Sequence, residues 1–180
     1  QTSLVVHDAS AAEFDKACQT ARNSDLIMTS GREYGSAGAP LYAAVFTPNT
    51  SGAAWTWGRG ESAQALQRRH DALTRVWMRP QFATPSEFGT YLSVWADDQV
   101  GGFAMHHEVS ATKLANLEKS YASKGLTAEV VQGRGSGTGG RFTAVFQENT
   151  LAWKRQWTVT GTPQPAMSGL DDWMQSFMQA

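Results

Sequence analysis

The feature that most constrains the fold is an internal repeat of about 50 residues. Three segments beginning at Leu41, Thr90 and Arg141 share one pattern. In each, an aromatic residue is followed three positions later by Val and then by a second aromatic. The chain continues alike after two of them, with Asn49-Thr50 and Asn149-Thr150. One such unit cannot bury its apolar face alone, so the units are expected to share a core.

A second mark recurs in phase with the first and predicts where helices begin. Ser10, Ser62 and Ser110 each precede a helix-forming stretch with an apolar residue four positions later. A serine hydroxyl accepts hydrogen bonds from the free N–H groups of a first helical turn, so these serines are predicted N-caps. Glu13 completes a capping box with Ser10. Thr162, followed by Pro163, indicates a fourth helix start.

These marks predict an α+β fold of three tandem α-β-β-β units with antiparallel strands and a closing C-terminal helix. The predicted units span residues 7–59, 60–108 and 109–158, the terminal helix spans 162–179, and all form one domain over 1–180. In each unit the strand after the helix meets Gly or Pro before the aromatic strand. The third strands are expected near 53–58, 101–107 and 151–158. A row and a ring of units both remain open.

Alternation along the aromatic strands predicts which side chains face the core. Successive side chains of a strand point to opposite faces. We therefore expect Val45, Val94 and Val145 to face the core. The adjacent aromatics should cover the other face of each sheet or meet the helices.

Composition excludes several classes of function. Lys and Arg number 15 against 16 Asp and Glu, a net charge of −1 that argues against a broad nucleic-acid-binding surface. No apolar run approaches 18 residues, so no membrane span is expected. The single cysteine, Cys18, cannot form an internal disulfide and is interpreted as a small buried hydrophobe. We expect no cofactor.

The repeat resembles the bacterial tandem repeat domain found before the β-lactamase-like domain of fungal polyglycine hydrolases and related secreted serine hydrolases. The resemblance rests on the Val-centred aromatic strand, a short turn with Trp, a polar pair before Ser or Thr, a helix and a Gly-containing strand exit, over roughly Val5 to Trp157. The polar pair varies, as His106-His107 in one unit and Arg59-Gly60 in another. The resemblance implies a repeat scaffold and a hydrolase domain in the parent chain.

Ser110 and Lys113 match the S-x-x-K motif of acylating serine enzymes, where Lys lies one helical turn after the nucleophile. The alternative interpretation is an N-cap. Ser110 is in register with Ser10 and Ser62, which have no Lys at that spacing. The repeat therefore favours the cap.

His106, His107 and Glu108 form the densest titratable cluster. A neutral imidazole could act as a base near pH 7, so a His107-centred site is a second catalytic candidate. Adjacent residues of a strand point to opposite faces, so the two histidines cannot chelate one ion together. No metal site is expected.

Loop residues between the strands supply candidate ligand contacts. Arg32 and Tyr34 lie in one Gly-containing loop, and Arg134 lies in the Gly-rich run 133–140. Loops on one face of a repeat array often bind ligands. Trp55 and Trp57 share one face of a strand, as a sugar-binding platform or, the favoured alternative, as part of the core.

Together these observations favour a secreted, non-catalytic binding or accessory module that holds a polypeptide or a glycan. The alternative is a small serine hydrolase or peptidase that uses Ser110 and Lys113, or the His107-centred site. The chain starts at Gln1 without a signal core, which fits a mature secreted or periplasmic protein and equally an excised domain.

The capping hypothesis makes a quantitative prediction. Replacing Ser62 by Ala removes the acceptor for a first-turn N–H, so the free energy of unfolding should fall by about 1 kcal/mol. Equilibrium denaturation of the variant measures the loss. An unchanged free energy would contradict the cap.

Overall fold

The fold is seen in a computed structural model that describes residues 2–98 and 101–148. Within those ranges lie nine strands and three helices. The strands are β1 (Leu4–Ala9), β2 (Leu26–Ser36), β3 (Ala39–Pro48), β4 (Ala54–Glu61), β5 (Arg79–Pro85), β6 (Tyr91–Asp97), β7 (Phe103–Val109), β8 (Leu126–Arg134) and β9 (Arg141–Glu148). The helices are α1 (Ala11–Asn23), α2 (Ala63–Thr74) and α3 (Ala111–Ala122).

The strands form three antiparallel three-stranded sheets, ordered β1-β3-β2, β4-β6-β5 and β7-β9-β8. The mixed α+β class and the repeated units are therefore as predicted. The aromatic strand is central in each sheet, where it hydrogen-bonds on both edges.

The sheets correct the order of elements within a unit. In each unit, the strand before the helix belongs to the same sheet as the two strands after it. This follows because β1, β4 and β7 each pair with the aromatic strand of their unit. The unit is β-α-β-β, and the stretches predicted as third strands near 53–58 and 101–107 open the next sheet. The strand predicted at 151–158 and the helix at 162–179 lie outside the described residues. The single-domain assignment stays a prediction.

The predicted helix caps are confirmed for all three described helices. The Ser10 hydroxyl accepts from the Glu13 N–H at 3.4 Å, and the Glu13 carboxylate accepts from the Ser10 N–H at 2.9 Å, which completes the capping box. Ser62 and Ser110 each accept a first-turn N–H at 3.2 Å. Thr162 lies outside the described residues.

Each helix is also flanked by left-handed backbone at fixed places. Two residues before each capping serine the chain has positive φ, and there the first strand of the sheet is bulged. Fifteen residues after each serine, φ is positive again. The six residues are Asp8, Gly60 and Glu108 before the helices, and Asp25, Trp77 and Gly125 after them.

Neighbouring units share their cores. On β6, Tyr91 and Trp95 pack with Leu66 of α2 on one face of the sheet. From the opposite face, Leu92 and Val94 join a cluster built on the helix and sheet of the first unit. The middle sheet is therefore covered on both sides. Strand β5 contacts β2 of the first unit and β8 and β9 of the third, so it lies between them.

The prediction that the valine of each aromatic strand faces the core is confirmed for the second and third units and is wrong for the first. Val94 and Val145 are buried, whereas Val45 is only partly buried. The sheet face that carries Val45 also carries exposed Val5, and within the described residues it is not covered as the same face is in the later units. The adjacent aromatics, Phe46 among them, are buried with the helices, as expected.

Substitution of Gly31 tests how closely the first two units pack. A Cβ at Gly31 would lie 2.6 Å from Cδ2 of buried Leu92, whereas a Cβ at Gly38 would meet nothing within 4 Å. Gly31→Val should lower the free energy of unfolding by about 1–3 kcal/mol through overpacking. Gly38→Val is the matched control and should change it by no more than about 0.5 kcal/mol. Equal effects in chemical denaturation would contradict this packing.

Candidate ligand-binding cleft

The strand that follows each helix carries a β-bulge at the same place. Pairing slips by one residue between Met28 and Ser30, between Pro80 and Phe82, and between Ala128 and Val130. A bulge leaves one residue unpaired and re-aims its side chain. The extra residue of the bulged strand is Thr29 in the first unit, Gln81 in the second and Glu129 in the third. All three line one cleft.

The cleft has a volume of about 490 Å³ and a mostly polar wall. Residues from all three units line it, because β5 lies between β2 and β8. Its side-chain amides and hydroxyls belong to Ser30, Thr47, Asn49, Thr50, Ser51, Gln81, Gln132 and Gln147. Such groups donate and accept hydrogen bonds, so they complement the amides of a peptide or the hydroxyls of a sugar.

A buried arginine lies in the wall of the cleft. The Arg79 side chain is only 8% exposed and forms an ion pair with Asp98. Gln81 donates to the same carboxylate at 2.9 Å. Nη1 of Arg79 is buried without a hydrogen-bond partner. An unpartnered guanidinium N–H is costly to bury, and a carbonyl or carboxylate oxygen would satisfy it.

Main-chain groups at sheet edges border the cleft in addition to its polar side chains. β2, β5 and β8 each lie at the edge of a separate sheet. An edge strand has unpaired N–H and C=O groups to which an extended polypeptide can hydrogen-bond. β5 is buried along most of its length and carries Pro80 and Pro85, so β2 and β8 supply the edges that suit an extended chain more directly than a compact ligand.

The candidate nucleophile serves as a helix cap. The exposed Ser110 hydroxyl accepts from the Lys113 backbone N–H at 3.2 Å. The Lys113 side chain is exposed. This matches Ser10 and Ser62, so the favoured interpretation of Ser110 as a cap is confirmed in its geometry.

The two adjacent histidines point to opposite sides, as expected. His106 Nε2 contacts the Tyr121 hydroxyl of α3 at 2.8 Å, and His107 Nε2 contacts Gln67 Oε1 of α2 at 3.0 Å. Burial lowers the pKa of both imidazoles. Both rings tie helices to sheets, and His107 also lies against the Tyr91 ring.

The predicted ligand contacts Arg32, Tyr34 and Arg134 lie on strands β2 and β8, so their placement in loops was wrong. Tyr34 and Arg134 occupy one repeat position and bind neighbouring acids. Tyr34 donates to Asp8 at 2.6 Å, and Arg134 holds Glu108 with its Nη2 at 2.9 Å from Oε2. Burial opposes ionisation of Glu108, but hydrogen bonds from Tyr91 and Arg134 outweigh it and lower the pKa of that carboxyl.

The remaining candidates lie apart from one another. Arg32 forms an exposed pair with Glu87 at 3.2 Å. Trp55 is buried and donates its indole N–H to Leu26 O at 2.9 Å, so it belongs to the core. Trp57 is partly buried and donates to Asp15 at 3.1 Å. None of these three lines the cleft.

The cleft residues were not among those that the sequence singled out. Thr29, Gln81 and Glu129 carry no motif, and nothing in the sequence marks the bulges that bring them together. Asn49 was marked only by its recurrence in the repeat, as Asn149. In the structure its amide donates to Ala53 O at 2.8 Å beside the cleft.

Two further properties concern the described residues only. In 2–98 and 101–148, no three His, Cys, Asp or Glu side chains lie close enough to hold a metal ion. No helix in this part of the chain has the length and apolarity to cross a membrane.

Sheets that repeat every 50 residues or so, and that share cores between neighbours, define a tandem-repeat α+β protein. A family model described as "Polyglycine hydrolase-like, structural repeat" matches residues 4–49 and 100–149, just over half of the chain. The chain belongs to this family. Both matches begin before the helix, in agreement with the β-α-β-β unit.

The cap assignment predicts the reactivity of Ser110. A serine hydroxyl is a weak nucleophile until a nearby base takes its proton, and exposed Lys113 is not placed in a buried site that would make it such a base. A fluorophosphonate probe should therefore leave Ser110 unmodified, as judged by peptide mass spectrometry. Labelling at Ser110 that is abolished by Lys113→Ala would favour the hydrolase alternative.

Proposed function

We propose that the chain is an accessory binding module of a polyglycine hydrolase-like protein and that it holds an extended polypeptide in the cleft between its three units. Family membership supports the accessory role, since the family is a structural repeat named after such hydrolases. The peptide-binding role is supported by the cleft.

The observation that carries the proposal is the convergence of three equivalent bulges on one polar cleft. Bulges are costly irregularities that are over-represented next to functional sites. Here Thr29, Gln81 and Glu129 come from different units and line a common wall. Beside them lies Arg79, whose buried Nη1 has no hydrogen-bond partner within the protein.

A polypeptide fits this cleft better than a glycan for one reason. The edge strands β2 and β8 border it on either side of buried β5, and main-chain pairing with an edge strand is open only to a polypeptide. The side-chain amides and hydroxyls favour neither ligand. The proposal extends to a secreted or periplasmic location, supported by the resemblance to repeats of secreted hydrolases.

A substitution that fills the cleft tests whether the cleft binds a peptide. The probe is a soluble Gly-Ser peptide of about ten residues, long enough to follow an edge strand, with binding measured by calorimetry. Exposed Thr29 is changed to Arg, which fills the cleft without disturbing the core. We expect the affinity for the peptide to fall at least tenfold.

Thr20→Arg is the matched control, since Thr20 is also exposed but lies on α1 outside the cleft. This variant should bind as the unaltered protein does. Absence of peptide binding by the unaltered protein, or equal binding by both variants, would refute the proposed cleft function.

A further inference from the structure

Trp77 has a backbone conformation that tryptophan rarely adopts. Its φ is 64°, in the left-handed region. The equivalent positions after the other two helices hold Asp25 and Gly125. Gly adopts this conformation without steric cost, and Asp tolerates it better than large side chains do. Trp77 is thus the bulky member of a repeated set that otherwise follows backbone preference.

The Trp77 side chain is also 85% exposed, and neighbouring Val76 is 60% exposed. The strain is therefore not offset by burial of the indole in the core, where the Trp55 and Trp95 side chains lie. A strained residue that persists without a packing role points to function. The missing contact would be with a ligand.

Trp77 borders a second hollow of about 650 Å³, which shares Arg79 and Asp98 with the bulge-lined cleft but is otherwise lined by different residues. Phe103 provides a second aromatic side chain, while Thr74 and Asp97 provide a hydroxyl and a carboxylate. These residues lie at the end of α2, the end of β6 and the start of β7. They offer side chains to a ligand, whereas the cleft is bordered by sheet edges.

We propose that this hollow is a carbohydrate-binding site in which the Trp77 ring stacks on a β-linked pyranose. The apolar C–H face of such a ring is flat and matches the area of an indole. Its equatorial hydroxyls point sideways, where the Asp97 carboxylate accepts hydrogen bonds. A concave site with aromatic walls and a few polar groups is the usual form of a small-ligand site. The inference does not rest on the peptide cleft.

The test uses two soluble probes, the β-1,4-linked hexasaccharides of glucose and of N-acetylglucosamine, with calorimetry and Trp fluorescence as readouts. Trp77→Gly removes the ring and also relieves the left-handed strain, so this variant should fold at least as stably as the unaltered protein. We expect binding of at least one hexasaccharide and at least tenfold weaker binding by Trp77→Gly.

Val76→Ala is the matched control, because Val76 is exposed beside Trp77 but does not line the hollow. It should bind as the unaltered protein does, and Asp97→Asn should bind more weakly. Binding of neither hexasaccharide, or undiminished binding by Trp77→Gly, overturns the site. So does binding of the Gly-Ser peptide that is lost in Trp77→Gly. Saccharide binding unaffected by Thr29→Arg separates this site from the peptide cleft.

Discussion

The structure depends on the packing of each sheet against the apolar core of the preceding unit. A three-stranded sheet with one helix leaves apolar surface uncovered, because the helix is narrower than the sheet. Leu92 and Val94 on β6 fill this gap for the first unit, and Val145 on β9 does so for the second. Gly31 shows how close the contact is, since no Cβ fits between it and Leu92. Burial of apolar surface between units is what stabilises a repeat protein.

The cleft is a consequence of that packing. Because β5 lies between β2 and β8, the equivalent bulges of the three units meet at one place. A bulge alone is a local irregularity, but three in register bring polar side chains from distant parts of the chain together. The ion pair of Arg79 and Asp98 anchors this wall and leaves one buried guanidinium nitrogen without a hydrogen-bond partner.

Local signals were sufficient to predict the helices. The capping serines need only the hydrogen-bonding capacity of a first turn, and the period of the aromatic strands shows that the units repeat. The phase of the unit could not be obtained in this way. In a periodic chain α-β-β-β and β-α-β-β describe the same order of elements, and only long-range strand pairing distinguishes them. The partial exposure of Val45 within the described residues likewise depends on how its unit packs, which no local pattern shows.

The site was less predictable than the fold. Bulges depend on pairing register, so Thr29, Gln81 and Glu129 gave no sequence signal. Tyr34 and Arg134 did share a repeat position, yet both are bound to neighbouring acids. Trp55 belongs to the core, while Trp77, which no motif marked, is the most exposed tryptophan among the described residues. Its strain is a property of backbone conformation that composition and spacing do not reveal.

Hydrogen exchange tests most directly whether the units share one core. Leu92→Ala removes a buried side chain that belongs to the second unit but packs on the first, at a cost of about 2–5 kcal/mol. Native-state exchange of β3 and β6 amides reports the opening free energies of the two units separately. The account predicts that Leu92→Ala lowers the opening free energy of both strands. A decrease confined to β6, with β3 unchanged, would show that the units are stable independently and would contradict the account.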